Sequence, residues 1–180
     1  MDNGASSYRR YLNGDEDTFR QIVSEYFDPL VFFIDRYVTD VYASEDIAID
    51  VFAYVAANPH RYHFGTTLKT YLFMLGRSRA LDHLRRRKHR AEVPLAEAEA
   101  LPSEGLSLEE QLLTDQRKRA IHKAISQLSE EMQLVVHLTY FEDMQADEVA
   151  KVLRKNRKQI YNLLYRAKNA LRTILGEEEQ

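Results

Sequence analysis

Side chains that can hydrogen-bond to nucleic-acid bases and phosphates cluster between residues 157 and 169. They alternate with apolar residues at helical spacing, so a single helix would expose all of them on one side. The outward set is Arg157, Lys158, Gln159, Tyr161, Asn162, Tyr165, Arg166, Lys168 and Asn169, and the inward set is Ile160, Leu164, Ala167 and Leu171. The chemistry that this pattern favours is recognition of base edges and phosphates.

A shorter helical pattern precedes this one and ends at a polar break, residues 154–156. The last residue of the break, Asn156, is a good N-cap because its side chain can accept a hydrogen bond from an unpaired backbone N–H. Two helices joined by a three- or four-residue turn, the second basic and polar outward, are typical of a helix-turn-helix that enters the major groove. A helical hairpin with a solvated basic face fits the same residues, and both interpretations stay open at this point.

A second basic cluster ends an otherwise amphipathic helical pattern, with Arg77 and Arg79 upstream of it. It consists of Arg85, Arg86, Arg87, Lys88, His89 and Arg90. A solvated helix C-terminus would also favour cations, by about 0.3–1 kcal/mol per charge. The loop before the helix carries Tyr62, His63 and Phe64, however, and aromatic side chains beside positive charge suit an unpaired nucleic-acid strand. We therefore expect DNA binding here.

Catalysis and metal binding find little support in the sequence. There is no cysteine, no phosphate-binding glycine loop, no HExxH motif and no nucleophile elbow. His60 and His63 lack a clear third ligand, so they fall short of a zinc site. The acidic residues Glu45, Asp46 and Asp50 fit a solvated helix surface or a contact with a basic partner equally well. We expect no enzyme activity, no cofactor and no metal.

Charge is distributed in blocks although the net charge is only −3. Residues 61–91 hold nine basic side chains and one acidic, whereas residues 92–115 hold seven acidic and none basic. Two positive blocks separated by an acidic spacer suggest two nucleic-acid contacts, because phosphate neutralisation dominates sequence-independent affinity. No segment approaches the roughly 20 apolar residues of a membrane span, and no leader pattern opens the chain, so we expect a soluble cytoplasmic protein.

Helical periodicity dominates the chain, which predicts an all-α fold of two small domains joined by a flexible acidic linker. Predicted boundaries are 1–90 for the first domain, 91–107 for the linker, 108–176 for the helix-turn-helix domain and 177–180 for an acidic tail. The predicted helices cover 16–26, 30–38, 44–57, 68–88, 108–128 and 129–141, followed by the helix-turn-helix. Asp28-Pro29 predicts a break between the first two, and Ser44 predicts the N-cap of the third.

Taken in order, several segments resemble the extracytoplasmic-function (ECF) sigma factors, the smallest sigma-70 family initiation factors of bacterial RNA polymerase. Residues 14–19, GDEDTF, resemble the family's GDxxAF, and residues 44–52 resemble its AEDLxQEVF segment. Residues 71–86 resemble WLxxIARNLAIDxLRR. Residues 148–150 and 165–171 resemble EIA and HRARKAL. Each match is weak alone, but their shared order around the acidic linker is specific.

The resemblance implies a role for each matching segment. Glu45, Asp46, Asp50 and Phe52 would bind the clamp helices of the largest subunit of core RNA polymerase. The loop with Tyr62, His63, Phe64, Thr66 and Thr67 would capture a flipped base of the melted non-template strand at the minus-ten element. Arg77, Arg85, Arg86 and Arg87 would meet the adjacent DNA. Arg157, Lys158, Gln159, Tyr161, Asn162 and Arg166 would read the minus-thirty-five element as duplex.

The sequence departs from the family pattern at several positions. Tyr71 replaces a tryptophan, Ser78 an asparagine, Ile49 a glutamine, and Arg154 the glycine of the turn. In the reading helix, residues 159–163, QIYNL, replace the more typical TVKSR. Asparagine can bond adenine in the major groove, worth about 1–3 kcal/mol of discrimination per good bidentate contact. We therefore expect an unusual minus-thirty-five sequence.

The resemblance also implies partners, namely core RNA polymerase, promoter DNA and an anti-sigma factor, commonly a membrane-anchored one. Two other classes of function remain compatible with the residues. One is a dimeric helix-turn-helix regulator that binds operators independently of polymerase. The other is an interaction module whose acidic N-terminal helices bind a second protein.

Overall fold

The computed structural model describes residues 4–92 and 116–178, and the regular elements in these ranges are all helical. The helices are α1 (Ala5–Leu12), α2 (Glu16–Val38), α3 (Val41–Ala57), α4 (Leu68–Glu92), α5 (Gln116–Ser126), α6 (Glu130–Val136), α7 (Ala146–Leu153) and α8 (Arg157–Glu178). A 3-10 turn follows α3 at Pro59–Arg61, and a π-helical turn, His137–Phe141, follows α6. The predicted all-α fold with a helix-turn-helix is confirmed.

The described residues group into two compact units. The first contains residues 4–92 together with 151–153, and the second contains residues 116–150 together with 154–178. Because α4 continues to Glu92 and α8 to Glu178, both predicted boundaries, at 90 and 176, fall inside helices. The rest of the predicted linker, 93–107, the start of the predicted 108–128 helix and residues 179–180 lie outside the described residues.

Helix α2 runs through the predicted break, so the prediction of two helices separated at Asp28-Pro29 is wrong. Proline in a helix interior removes one hydrogen bond and costs about 3 kcal/mol. Tyr26, Leu30 and Phe33 lie on both sides of the proline and are all buried in the core. Burying large apolar side chains stabilises by about 1.5–3 kcal/mol each, which offsets the proline.

Helix α3 begins three residues before the predicted N-cap, Ser44, so that prediction is also wrong. Asp40 is the N-cap, and its side chain accepts a hydrogen bond of 3.1 Å from the Ala43 backbone N–H. Ser44 instead lies buried inside the helix, where its hydroxyl donates to the Asp40 carbonyl at 2.8 Å. Aspartate caps a helix as well as serine does, and here the aspartate comes first.

The core of the first unit is formed where α2, α3 and α4 pack together. The rings of Phe33 on α2 and Phe73 on α4 are 4.9 Å apart between centroids, and both side chains are fully buried. Gly76 lets α4 approach α2 closely, because a Cβ at this position would lie 2.8 Å from the Leu30 Cδ1 atom. The first half of α4 is thereby fixed on the three-helix core, and the exposed residues of the basic cluster follow in the same helix.

The second unit packs α8 against α5 and α6. Ile160, Leu163 and Ala167 form the buried face of α8. Ile160 and Ala167 were predicted to be buried, but Leu163 takes the place of the predicted Leu164. Leu164 and the predicted core residue Leu171 are half-buried and line a groove of about 290 Å³. In the middle of α8, the buried face therefore includes the residue one position before the one that was predicted.

In the two described ranges, none of the helices combines the length and the apolar character that crossing a membrane requires.

Candidate nucleic-acid interface

The turn between α7 and α8 places α8 with its polar face outward. Arg154 directly follows α7 and has a left-handed backbone, with φ 53°. A residue other than glycine adopts this conformation at a cost in free energy. The next residue, Lys155, donates from its backbone N–H to the Ala150 carbonyl at 3.0 Å. Its side chain also forms an ion pair of 2.7 Å with Glu131 on α6, which lowers the pKa of that carboxyl group. The turn is therefore tied to the rest of the unit.

Asn156 is the N-cap of α8, as the sequence predicts. Its side-chain oxygen accepts a hydrogen bond of 2.8 Å from the Gln159 backbone N–H. The Gln159 side-chain oxygen in turn accepts one of 2.8 Å from the Asn156 backbone N–H. This reciprocal pair is a capping box. Only the oxygen of the Gln159 side chain is used in this pair, so its NH₂ group remains available as a donor.

All nine side chains predicted to face outward from α8 are exposed. Six of them form the predicted reading set, and these are Arg157, Lys158, Gln159, Tyr161, Asn162 and Arg166. Arg157 bonds to Tyr161 through two N–H groups, with donor–oxygen distances of 3.3 and 3.1 Å. It also lies 3.4 Å from the Asp147 carboxylate on α7. The pKa of Arg157 is raised above its usual value, first by the hydrogen bond to Tyr161 and then by the charge of Asp147.

Tyr62 lies in the core of the first unit, although the sequence grouped it with the DNA-contacting loop. Its side chain is 3% exposed, and its hydroxyl donates to the Thr66 carbonyl at 2.6 Å. The ring stacks on Tyr71, with 5.2 Å between centroids, and meets the edge of Tyr8 at 5.1 Å. Burial raises the pKa of Tyr62. Tyr62 therefore supports the loop from beneath and has no face for a base to stack on.

The surface of this loop is made by its other residues. Phe64 is half-buried with a left-handed backbone, φ 57°, and the Arg9 guanidinium lies 4.8 Å above its ring. His63 is exposed, and the buried Oγ1 atom of Thr66 has no hydrogen-bond partner within the described residues. Thr67 caps α4, since its hydroxyl accepts from the Thr70 backbone N–H at 3.1 Å. The loop thus presents an exposed imidazole and a half-buried aromatic ring, with an unpartnered hydroxyl buried inside it.

The basic residues of α4 divide into two kinds. Arg85, Arg86 and Arg87 are exposed, and Arg85 forms an ion pair of 2.6 Å with Asp82. Arg77 is half-buried beside Tyr37, where its charge and hydrogen bond counter the rise in the pKa of Tyr37 that burial causes. The exposed three can meet phosphates directly, whereas Arg77 is partly engaged within its own unit.

Helix α3 presents the acidic surface. Asp46 and Asp50 are exposed and Glu45 is half-buried. Phe52, grouped with them by resemblance, is 5% exposed and its ring packs 6.3 Å from that of Phe27. Its burial makes it part of the core that holds α3 rather than part of the surface.

The two most exposed apolar side chains of the same helix were not predicted from the sequence to be exposed. Tyr42 is 78% exposed and Ile49 is 55% exposed. With Asp46 and Asp50 they recur at spacings of three and four residues, so they share one helix face. Ile49 stands where the family has a glutamine. A polar residue is typical of an exposed position, so this departure was the signal in the sequence that Ile49 would be exposed. An exposed face that mixes apolar and acidic side chains is typical of protein–protein contacts.

No three His, Asp or Glu side chains converge as a metal site in the part of the chain that the structure describes.

Two family profiles match the chain. The profile for sigma-70 region 2 matches residues 22–90, and the profile for sigma-70, region 4 matches residues 118–171. The chain is also similar to the ECF RNA polymerase sigma factor SigW of Bacillus subtilis (strain 168), with 24% identity over 180 residues. That similarity covers 94% of this chain and 95% of the relative.

Solved structures show the same fold. The sigma factor RpoE from Bartonella quintana, in complex with the anti-sigma factor NepR, has a TM-score of 0.62 and 20% identity, covering 88% of this chain and 96% of that one. CnrH in complex with the cytosolic domain of CnrY has a TM-score of 0.64 and 18% identity, covering 98% and 99%.

Proposed function

The chain belongs to the ECF group of the sigma-70 family, and we propose that it directs core RNA polymerase to promoters that carry a minus-ten and a minus-thirty-five element and helps to open the DNA. In this role the chain recruits the polymerase and positions it on the promoter, and the polymerase carries out the covalent chemistry. Each DNA contact is weak alone, and joining both on one polymerase raises their effective concentration.

The observation that carries the proposal is the ordered first turn of α8. The capping box fixes where the helix begins, and Arg157, Lys158, Tyr161 and Asn162 are exposed directly after it. In helix-turn-helix proteins the N-terminal residues of the second helix contact base edges. A reading helix whose first turn is already ordered loses less conformational entropy on binding, which favours it as the minus-thirty-five reader.

The minus-ten contact is assigned to the loop before α4 and to the exposed end of that helix. His63 supplies an exposed ring on which an unpaired base can stack, at about 1–3 kcal/mol per base, and Phe64 beside it is half-buried with the Arg9 guanidinium over its ring. The Thr66 hydroxyl of the same loop is buried and has no hydrogen-bond partner within the described residues. Arg85, Arg86 and Arg87 neutralise phosphates of the adjacent DNA. Tyr62 is the fixed support of this site rather than a stacking residue.

The polymerase contact is assigned to the face of α3 that carries Tyr42, Asp46, Ile49 and Asp50. Exposed acids would attract a basic partner and set its register, while the two apolar side chains would be buried on docking. Clamp helices of the polymerase's largest subunit are the proposed partner, as in the family.

An anti-sigma factor is proposed as a further partner. RpoE was solved in complex with the anti-sigma factor NepR and CnrH in complex with the cytosolic domain of CnrY, and this chain has the same fold. A partner that covers the acidic face of α3 would compete with core polymerase. Adding it would therefore reduce the amount of chain that co-migrates with core enzyme.

Run-off transcription with purified core enzyme tests the proposal. We expect promoter-dependent transcripts, and a footprint over two unlike elements that appears only when core is present. A dimeric regulator would instead protect paired half-sites about one helical turn apart without core. Absence of any promoter-dependent transcript, together with no co-migration with core at low salt, would refute the proposal.

A further inference from the structure

Arg157 links the two helices of the helix-turn-helix through its side chain. It is the first residue of α8, and its Nη1 atom donates to the Asp147 Oδ2 atom, in the first turn of α7, at 3.4 Å. Its Nε and Nη2 atoms both donate to the Tyr161 hydroxyl oxygen, at 3.3 and 3.1 Å. The guanidinium also lies 5.5 Å from the centre of the Tyr161 ring.

These bonds determine which hydrogen bonds the Tyr161 hydroxyl can still form. Arginine has only donors, so in both contacts the phenol oxygen must accept. A phenol has one proton to donate besides its capacity to accept, and here the two N–H groups of one guanidinium occupy the acceptor side. The proton is left to be donated elsewhere, and the side chain is 50% exposed. A cation that donates to the oxygen also strengthens the O–H group as a donor.

We propose that Tyr161 donates a hydrogen bond to the N7 atom of a purine in the minus-thirty-five element, and that Asp147 is the positioning residue that enforces this by holding Arg157. The inference rests on the proposed function. N7 is the acceptor that both adenine and guanine present in the major groove. A single O–H donor reads that one atom, so Tyr161 accepts adenine and guanine alike and does not distinguish between the two purines.

The position of Tyr161 favours a base over a phosphate. It lies one turn into α8, on the N-terminal part of the second helix, which in helix-turn-helix proteins meets base edges. Asp147 contributes little to stability, because it is 63% exposed and its partner is 61% exposed. Its contribution is orientation: without it, Arg157 sits at the positive end of a helix with no counter-charge and is free to leave Tyr161.

The test uses the full chain on core polymerase and a minus-thirty-five sequence selected by this holoenzyme from randomised duplex DNA. Each purine is then replaced singly by its 7-deaza analogue, which lacks only the N7 acceptor. We expect one replacement to weaken wild-type binding by roughly three- to tenfold, the effect of one lost hydrogen bond. Tyr161→Phe should lose a similar factor on unmodified DNA and show no further loss with that analogue.

Matched variants separate this role from a structural one. Tyr165→Phe makes the same chemical change one turn later on an exposed residue and should keep the wild-type analogue penalty. Asp147→Ala should reduce the penalty, and Asp147→Glu, which retains the carboxylate, should restore it. Circular dichroism and thermal unfolding should be the same for all four variants and the wild type.

An unchanged analogue penalty in Tyr161→Phe would overturn the inference while leaving the proposed function intact. So would a loss seen only when a phosphate is replaced by methylphosphonate, because Tyr161 would then contact the backbone. Failure of the wild-type holoenzyme to select any sequence would overturn both.

Discussion

The side chains of Asn156 and Gln159 each accept a hydrogen bond of 2.8 Å from the other residue's backbone N–H. This capping box satisfies two backbone donors at the start of the reading helix without using a residue outside the helix-turn-helix. The same three-residue spacing places Gln159 on the surface proposed to face DNA. One residue therefore shapes the helix start with its oxygen and keeps its NH₂ group available.

Asn156→Ala should lower the free energy of unfolding of the second unit by about 1 kcal/mol, the typical effect of losing an N-cap. Thermal or urea unfolding of the full chain, followed by a probe in α8, measures this. Asn169→Ala removes the same side chain from an exposed position on the same helix and should change the value by less than about 0.5 kcal/mol. Equal effects of the two substitutions would contradict the capping role.

Arg154→Gly should stabilise the second unit by roughly 0.5–1 kcal/mol, because glycine adopts the left-handed φ of 53° without the steric cost that a side chain brings. Arg172→Gly makes the same replacement at an exposed position within α8 and should destabilise by about 1 kcal/mol through lost helix propensity. Denaturant unfolding of both variants measures whether the free energy of unfolding rises or falls in each. A loss of stability in Arg154→Gly would show that the arginine side chain supports the turn.

The first unit should lose stability at alkaline pH because of its buried tyrosines. Burial raises the pKa of Tyr8 and Tyr62 above the usual 10.0, so the ionised form is favoured when the chain unfolds. Their contribution is fully present below pH 10 and is lost as the pH rises through the folded-state values. Unfolding free energies measured from neutral pH to about pH 11, with tyrosinate absorbance as a second probe, test this direction.

Tyr62→Phe should reduce the alkaline slope and, at neutral pH, cost about 1 kcal/mol, because the hydrogen bond to the Thr66 carbonyl is lost. Tyr42→Phe, at a residue that is 78% exposed, is the control and should keep wild-type stability at neutral pH. Stability that is flat up to the highest pH would rule out the burial of Tyr8 and Tyr62 described here.

Asp46→Ala combined with Asp50→Ala should weaken binding to core polymerase by on the order of tenfold at low salt, and the difference should shrink as salt is added. Co-migration or surface binding at two ionic strengths measures both quantities. Asp17→Ala removes an acid that is 80% exposed on α2 and should have little effect. Unchanged affinity in the double variant would remove α3 from the proposed interface.

Local signals in the sequence predicted the features that depend on a few neighbouring residues. The Asn156 cap, the two helices around it and the exposure of the α8 polar face all follow from periodicity and capping chemistry within one turn. The sequence also shows that Arg154 stands where the family has a glycine. The left-handed backbone of Arg154 explains why a glycine suits that position.

Tertiary packing decided the features that were not predictable. Tyr62 and Phe52 belong to segments that resemble functional ones, but contacts with Tyr8 and with Phe27 place both in the core. Arg77 was expected on the DNA side and is half-buried beside Tyr37. In each case the partner is distant in sequence, so a single-chain pattern carries no signal of it. Exposure at Tyr42 and Ile49 is visible only once α3 is packed.

Because of Pro29, α2 depends on its packing partners to remain one continuous helix. Proline has no N–H, so the Glu25 carbonyl, four residues earlier, receives no helical hydrogen bond from it. The two halves of the helix are aligned by their shared attachment to α3 and α4 rather than by an unbroken hydrogen-bond ladder. Excised as a peptide, residues 16–38 would behave as two short, largely unfolded segments, and the single long rod exists only inside the assembled bundle.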